Sequence, residues 1–513
     1  MNKKVLEVSL EKFTPQGDEE NMEIIKSRKI TYQQKVLELA RKAENSLNVL
    51  NITKNVQQYR DEGIICDLFE GNAPYRPRYV VPDYARFMKN GSKFLELSAP
   101  KNIWEATNNL LILYKHVPSI TSFPVYIGNI DYLLEPFIND EKEAYNAIKL
   151  FLIHIDRTIT DSFCHANIGP LDTKAGRMIL DIQREIQTSI PNISLKYSKN
   201  TPDSFAISAI NTAFATAKPS FANNEIFENE FGTEYAIASC YNGLPIGGGS
   251  FTLVRLNLAG LAKKTKYKKE FLNVLLPDAV ERMASYMDER IKFLVEESNF
   301  FEGSFLVKEG LISKDRFTAM FGMFGLAECV NHFIDSDRLE DRFGHSEMAD
   351  NIGLEIIERL YEEVNKHYNE YCKFSNGKFL LHAQVGIDSD EGISPGCRIP
   401  IGEEPELYKH LLQSSKFHKF FPSGIGDVFA FEKTAKNNPQ YVLDIIKGAF
   451  KENMRYISFY ASDSDVIRIT GYLVKRSEME KLERGEQVLR DTVELGLGSV
   501  KNQGILSRKV RKV

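Results

Sequence analysis

The chain has 513 residues, 43% of them hydrophobic and 26% charged, and a formal net charge of −5 at pH 7. That composition is ordinary for a globular protein and offers no basic surface for nucleic acid, the basic C-terminal run SRKVRKV being only a local patch. The first residues, MNKKVLEVSLEKF, lack the apolar core of a secretory signal, and no stretch approaches 18 uninterrupted apolar residues, so no membrane contact and a cytoplasmic location are expected.

Residues 1–65 read as helical, with YQQKVLELARKAENSLNVL the clearest amphipathic piece. Pro74, Pro77, Pro82 and Pro100 break residues 66–100 into irregular chain with short strands. From residue 101 helical patterns alternate with short β-branched runs. AYNAIKLFLIHIDRTI reads as helix, while SFTLVRLNL and FLLHAQVGI read as strands. SEMADNIGLEIIERLYEEVNKHY starts on a Ser cap and sets Ile356, Ile357, Leu360, Val364 and Tyr368 along one face. Such alternation predicts an α/β fold with largely parallel strands. The tail from residue 475 reads as helix and extended chain on the outside.

The densest signal begins at Ser239, in SCYNGLPIGGGSFTLVRLNLAGLAKK. Gly247, Gly248 and Gly249 precede a strand-like run, but no lysine follows at P-loop spacing and no G-x-G-x-x-G is present. The glycines instead suit a tight loop in which backbone approaches backbone, with Cys240 at its tip. The six cysteines include no C-x-x-C pair, so neither a disulfide framework nor a four-cysteine zinc site is expected. Each cysteine reads first as a small buried hydrophobe. Cys329 beside Glu328 could pair a thiol with a carboxylate, but a buried helix face accounts for it. Cys397 reads as a turn cysteine, despite the neighbouring Arg398. His154 and Asp156 are two apart and share no helix face, which argues against a metal there.

Residues 466–474, VIRITGYLV, form a β-branched run interrupted by Gly471. A glycine there marks a bulge, a hairpin or a close backbone approach. It also permits a specific chemistry. Loss of one Cα hydrogen leaves an electron that spreads into the flanking amides only if Cα is planar, and any side chain would clash in that geometry. A thiol S–H bond is similar in strength to that Cα–H bond, so a cysteine loop meeting this glycine in a closed interior could exchange a hydrogen atom with it.

Four segments together resemble the glycyl radical enzymes. RITGYL is similar to the R-V-x-G-Y motif around the radical glycine. Cys240 with the following GGGSFTLVRLNLAGLA resembles the finger-loop cysteine segment of the anaerobic ribonucleotide reductases. FGMFGLAECVN resembles their G-x-x-G-L-x-E stretch, and SFCHANIGPLD their early cysteine segment. In size and pattern the chain most resembles the YjjI family. The resemblance implies a ten-stranded α/β barrel of two five-stranded half-sheets, with extra N-terminal helices. It divides the chain into an N-terminal layer (1–100), a catalytic barrel with its cysteine loop (101–455) and a radical segment with a charged tail (456–513). It implies Gly471 as the stored radical, Cys240 as the thiyl residue, Cys164 or Cys329 as second participants, and Glu328 as the shared glutamate. It further implies no bound cofactor, a separate S-adenosylmethionine-dependent activating enzyme as partner, a homodimer and an oxygen-sensitive, anaerobic role.

The chain departs from the better-known branches. MRYISFYASDSDVIRITGY has no cysteine, where the reductases carry two C-x-x-C pairs. The adjacent Cys–Cys of pyruvate formate-lyase and the G-C-x-E motif of the dehydratases are also missing, since Tyr241 and Asn242 follow Cys240. Without a zinc quartet, packing alone by Tyr456, Ile457, Phe459 and Tyr460 is expected to hold the segment before Arg468. The expected activity is hydrogen abstraction from a small polar substrate, leading to C–O, C–N or C–C cleavage. A non-catalytic radical carrier or repair subunit, a nucleotide reductase-like activity and a hydrolase are the alternatives.

Overall fold

The structure is a computed structural model and describes residues 15–67, 73–119, 123–384, 386–387 and 390–512. Its strands, in chain order, are β1 (Ile65–Cys66), β2 (Tyr79–Val81), β3 (His165–Ile168), β4 (Asn192–Tyr197), β5 (Ser220–Asn223), β6 (Tyr235–Ala238), β7 (Asn242–Pro245), β8 (Gly248–Asn257), β9 (Phe317–Phe324), β10 (Leu380–Ala383), β11 (Asp427–Phe431), β12 (Tyr456–Ala461), β13 (Val466–Arg468), β14 (Leu473–Lys475) and β15 (Val510–Arg511). Two sheets dominate. One has five strands in the order β1-β8-β9-β10, with β2 also on β8, and the other has six in the order β15-β11-β12-β5-β4-β3. The pairs β8–β9, β9–β10, β3–β4, β4–β5 and β11–β12 are parallel, as the helix–strand alternation predicts. A single bridge, His382 to Gly424, joins the edge of the first sheet to the chain just before β11.

The α/β fold is as expected, and one sheet has the expected five strands while the other has six. The tail adds β15 as a sixth strand, and among the described residues the ladders do not close into a ten-stranded ring. Two hairpins, β6–β7 and β13–β14, stand apart from both sheets. Gly248 and Gly249 begin β8, with Gly247 just before it; a Cβ on Gly248 would collide with the Arg316 carbonyl, and one on Gly249 with that of Tyr79. They serve strand packing, as the backbone-approach reading expects.

Local chemistry explains most helices. Thr31 and Gln34 form a reciprocal capping box on the helix Tyr32–Asn45. Asp140 caps Glu141–Thr158 through the Glu143 amide. The helix Glu347–Lys366 follows Ser346, whose side chain makes no cap bond. Ile356, Ile357, Leu360 and Val364 are buried, but the helix stops at Lys366, so Tyr368 lies beyond it and is exposed. Within the proline-broken segment a helix, Tyr84–Asn90, does form, capped by Asp83 after Pro82. The strand expected at FLLHAQVGI ends at Ala383; Val385 lies outside the described residues, as do residues 1–14. No described helix is long and apolar enough to cross a membrane.

Candidate active site

Gly471 is buried in the four-residue turn of the β13–β14 hairpin, where the Ile469 amide donates to the Tyr472 carbonyl at 3.0 Å. The glycine thus interrupts a strand because the chain reverses there. Its carbonyl accepts from Asn192 Nδ2 at 3.0 Å and from Arg468 Nη1 at 3.4 Å. Arg468 Nη2 donates to Asn192 Oδ1 at 3.1 Å and to the Ala217 carbonyl at 2.8 Å. Arg508, from the tail, donates to the carbonyls of Arg468 at 3.2 Å and Ile469 at 3.0 Å. Two buried arginines thus bind the backbone of residues 468–471, and packing alone does not hold the segment before Arg468 either, since Arg476 donates to the carbonyls of Ser464 at 3.2 Å and Ser462 at 3.3 Å. Tyr456, Ile457, Phe459 and Tyr460 are buried in β12 nearby, as expected. Tyr472 is fully buried, its ring 5.0 Å from that of Phe163, and the tail helix Thr492–Gln503 covers the hairpin through Gly496.

Cys240 sits at the tip of the β6–β7 hairpin. The side chain of Asn167 on β3 clamps the Ile237 backbone, accepting from its amide and donating to its carbonyl, each at 2.9 Å. The Gly243 amide donates to the Ser423 carbonyl at 2.9 Å. Ser239, just before the cysteine, is in the left-handed region with φ 58°, a conformation that costs a non-glycine residue energy and persists only when its surroundings impose it. The Cys240 thiol donates to Asn242 Oδ1 at 3.2 Å. Burial pushes its pKa up to about 12, against the pull of Arg398 and Arg468. The sulfur therefore keeps its hydrogen at neutral pH, which suits hydrogen-atom exchange and not nucleophilic attack.

Strand β4 and Tyr456 connect the two loops. The Tyr456 hydroxyl lies 3.0 Å from the Cys240 carbonyl and 2.9 Å from Ser194 Oγ. Ser194 Oγ is also 2.9 Å from His165 Nε2, and His165 Nδ1 is 3.1 Å from the Ser239 carbonyl. A carbonyl only accepts, so Nδ1 carries the imidazole hydrogen. Burial holds the His165 pKa down to about 3, so the ring is neutral and Nε2 accepts from Ser194. The Tyr456 hydrogen is then left for the Cys240 carbonyl and the Ser194 oxygen. Asn192, which holds Gly471, and Ser194, which leads to Cys240, are two apart on one strand face, a spacing of roughly 7 Å.

The remaining predicted residues lie elsewhere. Cys164 immediately precedes β3, and His165, its neighbour, takes the face toward Ser239. The Cys164 thiol has Tyr84, Tyr114, Asp161 and Lys218 as its charged and phenolic neighbours, and none of these acts directly on the Cys240 thiol. Cys329 is fully buried in the helix Leu326–Ile334 within the main core. Glu328 turns the other way, accepting from Ser394 Oγ at 2.6 Å, and burial raises its pKa. Glu328 thus touches the loop that carries Arg398, but no bond joins it to the thiol of Cys329. Asp156 pairs with Arg490, tying the helix Glu141–Thr158 to the tail. Asn192 and Ser194 carry no motif, and although His165 lies in SFCHANIGPLD and Arg508 in SRKVRKV, neither segment pointed to the contacts these residues make.

A family model described as "Glycyl radical enzyme YjjI-like" matches residues 30–511. A protein of Haemophilus influenzae is 47% identical over 497 residues, spanning 96% of this chain and 97% of its own. The protein YjjI of Escherichia coli strain K12 is 41% identical over 496 residues, spanning 96% and 95%. Among solved structures, a glycyl radical enzyme from Archaeoglobus fulgidus aligns with a TM-score of 0.64 at 13% identity, over 81% of this chain and 69% of that one. The B12-independent glycerol dehydratase of Clostridium butyricum gives 0.63 at 14%, over 81% and 68%. The anaerobic ribonucleotide reductase of Thermotoga maritima with glycerol in its active site gives 0.64 at 13%, over 84% and 85%. At such identities the solved structures share the fold and nothing finer.

Proposed function

The chain belongs to the YjjI-like glycyl radical enzymes, and from that premise we propose that Gly471 stores the radical and Cys240 is the residue that uses it. The stored radical takes the hydrogen atom of the Cys240 thiol, restoring a Cα–H bond and leaving a thiyl radical. The thiyl then abstracts hydrogen from a C–H bond of a small polar substrate, and C–O, C–N or C–C cleavage follows. The hydrogen is returned at the end, so the glycine and the cysteine are both regenerated.

The observation that carries this reading is the common anchorage of the two loops on β4, Gly471 through Asn192 and Cys240 through Ser194 and Tyr456. Each loop reaches that strand through buried groups, so water is kept from a reactive radical. The neutral thiol is a second support. A chain with its own cysteine finger is equipped for turnover, which a mere radical carrier would not need. Following the family, the radical is installed by a separate S-adenosylmethionine-dependent activating enzyme in the absence of oxygen. The test is electron paramagnetic resonance after anaerobic activation. Wild type and Cys240→Ser should show a glycine-centred doublet, and air should then cut the chain near residue 471. A doublet persisting in Gly471→Ala would overturn the assignment.

A further inference from the structure

Cations outnumber carboxylates around Cys240. Arg468 is fully buried, hydrogen-bonds only carbonyl groups and has no carboxylate partner. Arg508 likewise serves carbonyls and the Tyr460 hydroxyl. Arg398 is the third guanidinium. It acts on both the Cys240 thiol and Arg468 electrostatically, and its Cζ lies 5.9 Å from the Tyr241 ring. Asp427, a carboxylate nearby, is already engaged. It accepts from His410 Nε2 at 2.9 Å and the Val428 amide at 2.8 Å, and stands 4.0 Å from Arg398 Nε. Burial works against its charge, but His410 and Arg398 hold the carboxyl below the usual range.

Arg398 is not spent on the fold. Its side chain is only 11% exposed, and Nε donates to the Gly426 carbonyl at 3.0 Å. Its two terminal nitrogens have no hydrogen-bond partner among the described residues. Other polar atoms close by are also unsatisfied. Asn242 Nδ2, on the residue that takes the Cys240 hydrogen bond, has no partner. Neither ring nitrogen of His382, whose ring is 5.5 Å from that of Tyr241, makes a well-formed hydrogen bond among the described residues, although the Ser423 backbone acts on the ring. Gln384 Oε1 has no partner either, one residue beyond the carbonyl that accepts from the Tyr241 hydroxyl. A guanidinium only 11% exposed, whose two terminal donors meet no acceptor among the described residues, on the same Tyr241 ring that His382 approaches, is placed to bind a ligand. The guanidinium fork matches an oxyanion by two parallel bonds.

We propose that the substrate carries an oxyanion (a carboxylate, phosphate or sulfonate) and that Arg398 holds it beside Cys240. The inference rests on Cys240 being the working residue, and it narrows the substrate from small and polar to small and anionic. The anion compensates the surplus positive charge, and the unsatisfied groups of Asn242, His382 and Gln384 receive the polar remainder of the molecule. The substrate's position is then fixed by its head, with the reacting carbon left at the sulfur.

The test uses the full-length protein without activation, so it is independent of radical formation. Thermal unfolding is followed while acetate, inorganic phosphate and methanesulfonate are each titrated to about 100 mM, with acetamide and chloride as controls. At least one oxyanion should stabilise saturably and the controls should not; the tightest of the three identifies the head group. Arg398→Gln should weaken that binding about tenfold or more. Should that variant not fold, Arg398→Lys decides, since it keeps the charge and loses the fork; it should weaken binding at least about threefold. Equal stabilisation of wild type and variant, equal effects of acetate and acetamide, or no saturable effect of any oxyanion would overturn the proposal. Failure here with a normal glycyl doublet rejects the anion site alone, whereas a missing doublet rejects the radical reading.

Discussion

Replacing Asn192 with alanine should loosen the glycine hairpin selectively. The change removes the 3.0 Å bond to the Gly471 carbonyl and the acceptor that Arg468 Nη2 meets at 3.1 Å. It leaves the carbonyl with only the 3.4 Å contact from Arg468, and the guanidinium with the Ala217 and Gly471 carbonyls alone. A neutral bond of this kind contributes roughly 1 kcal/mol net, a bond to a charged group roughly 1.5–3, and a stranded buried donor adds to the loss. A local cost of about 2–3 kcal/mol follows, or roughly a 30- to 150-fold rise in opening of the turn. Hydrogen–deuterium exchange of the amides at 469–473 reads this directly in the resting protein. Exchange there should accelerate by that factor, while β9 and β10, which are far from the hairpin in the sheet order, keep their protection. Unchanged exchange at 469–473 would refute the claim that Asn192 holds the glycine in place.

Acid should destabilise the fold from just below neutrality. Burial holds His165, His382 and His418 each at about 3, well under the usual 6.5. These groups stay neutral when folded and bind protons only when unfolded, so stability is lost as pH falls through 6.5 toward 3; from pH 7 to 5 each contributes a loss of roughly 2 kcal/mol. His165→Gln should flatten the pH dependence of unfolding by about one proton, and an unchanged slope would show that His165 is not held neutral. Cys164→Ser and Cys329→Ser should both leave the radical yield near wild type, because neither thiol joins the Gly471–Cys240 cluster. Loss of the radical in either variant, with folding intact by circular dichroism, would restore that cysteine to the mechanism.

The two ends of the proposed site stand out in the sequence for a chemical reason. A stored backbone radical demands glycine, and a thiyl demands cysteine, so RITGY and the Cys240 loop stand out as residue types that cannot be exchanged. The middle of the site was not legible. Asn192 meets Gly471 across 279 residues, and Ser194 meets Tyr456 across 262. Only the parallel order β3-β4-β5 and the antiparallel pairing of β5 with β12 bring them together, and strand order leaves no local trace. Cys164 shows how strand alternation adds what residue type cannot: its neighbour His165 takes the face toward Ser239. Arg398 looked like a turn neighbour of Cys397, because nothing near it in sequence reveals that its terminal nitrogens go unpaired. The sixth strand of the larger sheet was hidden for a similar reason, since Val510–Arg511 is too short to read as a strand until it meets β11.

The central claim is that a hydrogen atom passes between Gly471 and Cys240, and deuterium reports it without knowledge of the substrate. A thiol exchanges its proton with solvent, whereas a carbon-bound hydrogen does not. In D2O, transfer from Cys240 S–D to the Gly471 radical gives a Cα bearing one hydrogen and one deuterium, and each return that takes the hydrogen instead leaves deuterium on Cα, so repeated exchange enriches it. The paramagnetic doublet of anaerobically activated wild type should therefore collapse to an unresolved line in D2O, while Cys240→Ser should keep its doublet. A wild-type doublet that persists in D2O, or a collapse that proceeds equally in Cys240→Ser, would contradict the account.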